Sequence, residues 1–181
     1  MDKVIELVKR DPIRLKALDA VAQLELPQCY IAAGFVRNLI WDSLHDFSEL
    51  TPLNDVDVVY FDADEVDSNR YLEYEKQLSN YMPELNWQVR NQAHMHSKNQ
   101  DEPYTSTLHA MSYWPEKETA VAITQVTKHQ YECIAAFGFE SLFRGQLTYN
   151  PKRKRAVFDT RVRSKGWLVH WPKLTVMTGN S

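Results

Sequence analysis

In NDVDVVYFD, Asn54 to Asp62, two aspartates sit one residue apart at the head of an apolar run. The run is short and rich in Val, Tyr and Phe, which predicts a strand. Side chains alternate faces along a strand, so Asp55 and Asp57 point the same way while Val56 and Val58 point to the other face. Two carboxylates that close repel and raise each other's pKa unless a cation lies between them. Mg²⁺ suits the position, because it takes carboxylate and phosphate oxygens while keeping several waters. A solvated turn around Asn54 and Asp55 is the plainer account. It explains Asp55 well and Asp57 poorly, since Asp57 is already inside the buried run.

Upstream, AAGFVRN spans Ala32 to Asn38. Gly34 is the first glycine of the chain, and the next is Gly138. It stands where a short extended segment, CYIAAGF, meets a helix-like segment, VRNLIWDSLHDF. Such a junction presents backbone N–H groups and the positive end of a helix to a phosphate. Glycine permits close approach and unusual dihedrals. Arg37, one turn in, is placed to reach the same phosphate. The alternative is a tight turn with Arg37 on a solvated face.

Together, AGFVRN and NDVDVVYF resemble the GGxVRD and DxDh segment of CCA-adding tRNA nucleotidyltransferases, in the DNA polymerase β superfamily. Two positions depart from the pattern. Phe35 stands for the small second residue of the Gly-Gly pair, and Asn38 for the acidic residue. The chain is still more similar to a bacterial nucleotidyltransferase-like family, through GFVRNLIWD, DVDVVYFD, NWQVRNQAHMH, FGFESLF and RVRSKGW...WPKL, between Ile31 and Val176. The resemblance implies a polymerase β-type fold, with Mg²⁺ or Mn²⁺ on Asp55, Asp57 and a third carboxylate from a later strand. The candidate is Glu132 in HQYECIAAFGFE, with Glu140 an alternative in a helix. It also implies a nucleotide held by Gly34, Phe35, Arg37 and Asn91.

In NQAHMH a continued strand places Gln92, His94 and His96 on one face. Two histidines at that spacing can bind a transition metal. With no cysteine or carboxylate beside them, a hydrogen-bonded pair supporting the site is the preferred account. From Pro151 to Trp167 the chain carries seven Lys or Arg residues and one Asp. Basic residues interleaved with aromatics grip phosphates and stack on bases. Here Lys152 to Arg155 are expected to be solvated, Trp167 and Trp171 packed, and Arg161 and Lys165 near the site.

These residues need elements to position them. Asp11-Pro12 is a helix start, followed by Leu15, Leu18 and Val21 at helical spacing. NRYLEYEKQLSNYM reads as an amphipathic helix anchored by Tyr71, Leu72, Leu78 and Tyr81. NWQVRNQAHMH, TAVAITQV and HQYECIAAF read as strands, and STLHAMSYW and GFESLFRGQL as short helices. Helices mixed with four or five strands predict an α+β fold, a small mixed sheet with helices packed against it. The 181 residues are 44% hydrophobic and 12% aromatic, enough for one domain with a basic, aromatic C-terminal extension from about residue 150.

A formal net charge of −3 excludes a global basic field for nucleic acid. Cys29 and Cys133 lie in apolar runs and read as buried, reduced thiols. No secretory signal or membrane span is visible, so a cytoplasmic protein is expected. The expected activity is metal-dependent transfer of a nucleoside monophosphate from an NTP to an unknown acceptor: a small molecule, a protein or an RNA end. A binding protein of the same fold without chemistry is the alternative. A hydrolase built on His94 and His96 comes third.

Overall fold

The computed structural model describes residues 2–177. The chain runs α1 (Asp2–Lys9), α2 (Pro12–Ala22), β1 (Tyr30–Ala32), α3 (Gly34–Leu44), β2 (Asp55–Tyr60), α4 (Tyr71–Tyr81) and β3 (Asn86–Asn91). There follow α5 (Met95–Asn99), α6 (Thr107–Met111), β4 (Val121–Thr127), β5 (Gln130–Ala135) and α7 (Glu140–Phe143). The last elements are β6 (Gln146–Thr148), α8 (Arg155–Ser164), α9 (Trp167–His170) and β7 (Thr175–Met177). Five strands form a mixed sheet in the order β3-β2-β1-β4-β5, and β6 pairs with β7. Only the β2–β3 pair of the large sheet is parallel. No helix among the described residues is long and apolar enough to cross a membrane.

The two faces of the large sheet differ. Ile31, Val56, Val58, Tyr60, Trp87, Val89 and Ile123 belong to the main core with the buried residues of α1, α2 and α3. Asp55, Asp57 and Val59 occupy the other face of β2, beside Ala32 and Tyr30 of β1 and Gln88 and Arg90 of β3. One face is thus covered by helices, and the other carries the charge.

Helix α2 begins where Asp11 and Pro12 predict. The Asp11 carboxylate accepts from the N–H groups of Ile13 (3.0 Å) and Arg14 (3.4 Å), and proline fills the first turn. Asp11 also pairs with the guanidinium of Arg14, whose Nε donates to Phe35 O at 2.8 Å. This buried cation ties α2 to the first turn of α3.

The structure adds elements and trims others. Helix α1 precedes the expected first helix, burying Val4 and Val8 at a four-residue interval. In α4, Leu78 is buried, but Leu72 and Tyr81 are 52% and 47% exposed. Met82 and Leu85, past the helix end, fill the space expected of them. The basic tail folds as α8 and α9, each packing one aromatic ring inward, Phe158 and Trp167.

Asp11→Ala removes a cap and leaves the Arg14 guanidinium buried and unpaired, so it should cost about 3 kcal/mol in urea unfolding. A loss under about 0.5 kcal/mol would show that Arg14 does not depend on this partner.

Candidate active site

The charged face opens into a cleft of about 710 Å³. Asp55 and Asp57 line it together with Gly34, Arg37, Arg161 and Lys165. Asp57 is half-buried and pairs across the strands with Ala32 and Gln88. Asp55 is exposed, and its Oδ1 accepts from Asn86 Nδ2 at 2.5 Å. Burial pushes the Asp57 carboxyl above the usual aspartate range; Arg37 opposes this and Asp55 adds to it. No hydrogen bond reaches that carboxylate from any described residue.

The start of α3 reaches the same cleft. Its cap residue Ala33 holds φ 55° and ψ −122°, a conformation that glycine favours. Ala33 is anchored by donating its N–H to Val121 O at 2.9 Å, and its own carbonyl accepts from Val36 and Arg37. No side chain caps the helix, and the N–H groups of Gly34 and Phe35 have no partner among the described residues. The helix end therefore leaves backbone donors of the kind that suit an anion. Gly34 keeps it accessible: a Cβ there would lie 3.3 Å from Asn38 Nδ2 and 3.5 Å from Arg37 Nη2. The unusual backbone angle thus belongs to Ala33, while Gly34 supplies space.

Arg37 forms the cleft floor rather than a solvated face. Its guanidinium lies 4.8 Å from the Trp41 ring and 4.6 Å from the Trp167 ring. Nη1 donates to Thr119 Oγ1 at 2.7 Å, and Nε and Nη2 donate to Asn38 Oδ1. Asn38, which departs from the family pattern, thus orients this cation. Burial lowers the Arg37 pKa to about 10, with Glu116 opposing the shift, so it stays charged at neutral pH.

Arg161 enters from α8. Its Nε donates to Glu116 Oε1 at 2.5 Å and Nη2 to Oε2 at 3.3 Å. Glu116 is completely buried. The neighbouring Glu118 is also buried; its Oε2 accepts from Thr148 N at 2.7 Å and its Oε1 has no partner. Lys165 lines the cleft with its ammonium unpaired among the described residues. Trp167 and Trp171 pack on Trp41, and Trp171 Nε1 donates to the buried Asp42 at 2.8 Å. Sequence reading missed Ala33, Glu116 and Thr119. Nothing in the polar run Pro115 to Thr119 marks its acids as buried.

Five expected site side chains are not brought to the cleft. Glu132 shares the sheet face with Asp57, but β1 and β4 lie between them. Three strand spacings separate the two by roughly 14 Å, too far to share an ion. Glu132 is exposed on an edge strand, where its Oε1 accepts from Tyr30 at 3.3 Å. Phe35 is fully buried in the main core, so it does not narrow the phosphate site. Asn91 is structural: it donates to Asp62 O (2.8 Å) and Glu65 Oε1 (3.0 Å), and accepts from Asp62 N and Ala93 N.

His94 and His96 do not share a strand face, because β3 ends at Asn91 and the chain turns helical. His94 bonds Glu65 O at 3.1 Å, and His96 bonds Ala93 O at 2.9 Å. In the tail, Arg153 is not solvated but forms a two-pronged pair with Asp101 at 2.8 and 2.6 Å. Both cysteines are free; Cys133 is buried and Cys29 half-buried, and burial pushes both thiols up to about 12.

Among the described residues no group of three or more His, Cys, Asp or Glu is placed to hold a metal ion. Two carboxylates nevertheless suit an ion that completes its shell with phosphate oxygens and water. The donor-free Asp57 carboxylate beside exposed Asp55 fits that requirement.

Asp57 binds its proton more readily folded than unfolded. Its contribution to stability is therefore present below the ordinary aspartate range and is lost as pH rises through its folded value. In metal-free buffer Asp57→Asn should raise Tm at pH 7, and the gain should shrink as pH falls into that range. A gain that grew on acidification would contradict this. Arg161→Met strands Glu116 in the interior, so a loss of about 3 kcal/mol is expected on denaturation. Adding Glu116→Gln should recover most of it; no recovery would mean that Arg161 acts through other contacts.

The fold agrees with comparisons to known proteins. A nucleotidyltransferase family model matches residues 19–176. An NMR structure that reveals a CCA-adding enzyme head domain superposes with a TM-score of 0.86, at 29% identity, covering 99% of this chain and 96% of that one. A CCA-adding enzyme solved with CTP gives a TM-score of 0.63 at 14% identity, covering 96% of this chain and 43% of that one. A tRNA-processing enzyme in an apo form gives 0.54 at 16% identity, with 91% and 42% covered. The chain thus spans less than half the length of these two larger enzymes. No curated protein matches it in sequence. The chain belongs to the nucleotidyltransferase family, and its fold is similar to that of the CCA-adding enzyme head domain.

Proposed function

We propose that this nucleotidyltransferase moves a nucleoside monophosphate from an NTP to a hydroxyl acceptor, with Mg²⁺ or Mn²⁺ held by Asp55 and Asp57. One observation carries the reading. The paired carboxylates and the uncapped start of α3 line the same cleft. Metal-bound phosphates and helix N–H groups are complementary requirements of a single triphosphate.

A divalent ion at the carboxylates supplies charge stabilisation to the phosphoryl oxygens. The Gly34 and Phe35 N–H groups bind the triphosphate at the helix end. Arg37 lies beneath it with Nη2 beside Gly34, while Arg161 of α8 and Lys165 just past its end line the cleft beside it. In this mechanism the acceptor oxygen bonds to the α-phosphorus and the bond to the β-phosphate oxygen breaks. Pyrophosphate leaves toward the cations, which hold its developing charge. The acceptor's proton passes to water at the exposed Asp55. The likeness to an enzyme solved with CTP supports an NTP donor.

A second reading, nucleotide binding without turnover, has one observation in its favour: among the described residues only two carboxylates line the cleft. Phe35, which the sequence offered as a reason for it, lies in the core.

Thermal-shift titration with Mg²⁺ and each NTP tests both readings. Ligand that binds only the folded state raises Tm, by about 2.7 kcal/mol of stability at a hundred-fold excess over Kd. The rise should require metal and NTP together and vanish in Asp55→Asn/Asp57→Asn. No rise with any NTP would sink the site assignment. A rise without pyrophosphate release from any acceptor mixture would favour binding alone.

A further inference from the structure

Three residues stand level across the charged face: Ala32 on β1, Asp57 on β2 and Gln88 on β3. Neighbouring strands lie about 4.8 Å apart, and side chains in register share a face. Gln88 therefore flanks the Asp57 carboxylate on the side away from β1 and the start of α3. It is half-buried and lines the cleft.

The amide of Gln88 has a fixed orientation. Arg90 Nη2 lies 2.9 Å from one of its terminal atoms. A guanidinium only donates, so that atom is the oxygen, Oε1. Arg90 is itself held by α4: Nη1 donates to Glu75 Oε1 at 2.6 Å, and the guanidinium lies 4.7 Å from the Tyr71 ring. Glu75 is anchored in turn by the Val89 N–H at 2.9 Å. Gln88 Nε2 is left with no partner among the described residues, and it is not one of the atoms sealed in the interior. A carboxamide nitrogen carries two donors and no site for a cation. Beside an ion on Asp57, Nε2 can therefore serve only an oxygen that the ion also holds.

The course of a triphosphate identifies that oxygen. The free N–H groups of α3 lie on the β1 side of Asp57, so a triphosphate reaching from them to the carboxylates brings its α-phosphate toward β3. A phosphate oxygen about 2 Å from the ion comes within reach of a side chain one strand away. We propose that Gln88 Nε2 donates to a nonbridging oxygen of the donor's α-phosphate, with Arg90 holding the amide in place. The assignment rests on the nucleotidyl-transfer reading and adds to it a neutral donor at the reacting phosphorus. An amide already held by its oxygen loses little freedom when the ligand arrives. A donor aimed at oxygens where charge develops also favours the transition state.

Calorimetry with Mg²⁺ on wild type, Gln88→Leu and Gln88→Glu tests the contact. The probes are the NTP that binds wild type best and both diastereomers of its α-thio analogue, in which sulfur, a poor acceptor, replaces one or the other nonbridging oxygen. Melting of the unliganded variants shows that they fold. Gln88→Leu should bind the NTP about ten-fold more weakly. It should bind one diastereomer with little further loss, because the sulfur has already removed the bond, and the other with the full loss. Gln88→Glu keeps an acceptor for Arg90 and exchanges only the donor, so it should single out the same diastereomer. Equal losses for the NTP and both diastereomers would mean that Gln88 acts through Arg90 or through charge alone, and would overturn the contact. An unchanged affinity would overturn it too. If wild type bound no NTP, the nucleotide reading itself would fail and the contact with it.

Discussion

The guanidinium of Arg37 is the point on which the cleft depends. It lies against the edge-packed indoles of Trp41 and Trp167, which come from α3 and α9, 126 residues apart by the numbering. It also holds Thr119 and Asn38. A charge removed from water needs compensation, and aromatic faces with hydrogen bonds provide it only at fixed geometry. One cation therefore sets where the C-terminal helices sit relative to the start of α3.

That placement has a consequence for α8. Trp167 is shared: Arg37 lies 4.6 Å from its ring and Arg161 5.8 Å. Two cations this close repel, and Arg161 helps lower the Arg37 pKa. The buried Glu116 offsets the repulsion by taking the Nε edge of Arg161. Positive charge is concentrated at the cleft, although the whole chain is net negative. A phosphate-bearing ligand is the natural counterweight to the rest.

The sheet divides labour by its two-residue period. Val56 and Val58 bind the sheet to its helices, and the alternate residues Asp55 and Asp57 are released to the cleft. Because the two sets alternate, packing holds the Asp57 carboxylate at a half-buried position that its own chemistry would not choose. Burial of Asp57 is the cost of that arrangement, seen in its raised pKa.

Much of this was legible from local pattern. The N-cap at Asp11, the strand from Asp55, the shared face of the aspartates and the Gly34 junction follow from short-range rules, since each depends on residues within one or two turns or on strand alternation. The tail's tryptophans were legible as packed, and Arg161 and Lys165 as cleft residues. Glu132 was not separable from a metal ligand, because face is local but strand order is not: only the sheet shows two strands between it and Asp57. His94 and His96 failed for the converse reason, since alternation holds only while the strand lasts, and β3 stops at Asn91. Glu116 and Thr119 gained their roles from partners far along the chain. The sequence by itself determined which residues alternate, cap and turn. Tertiary structure decided which charges meet, because burial and pairing across long separations are set by packing and leave no periodic mark.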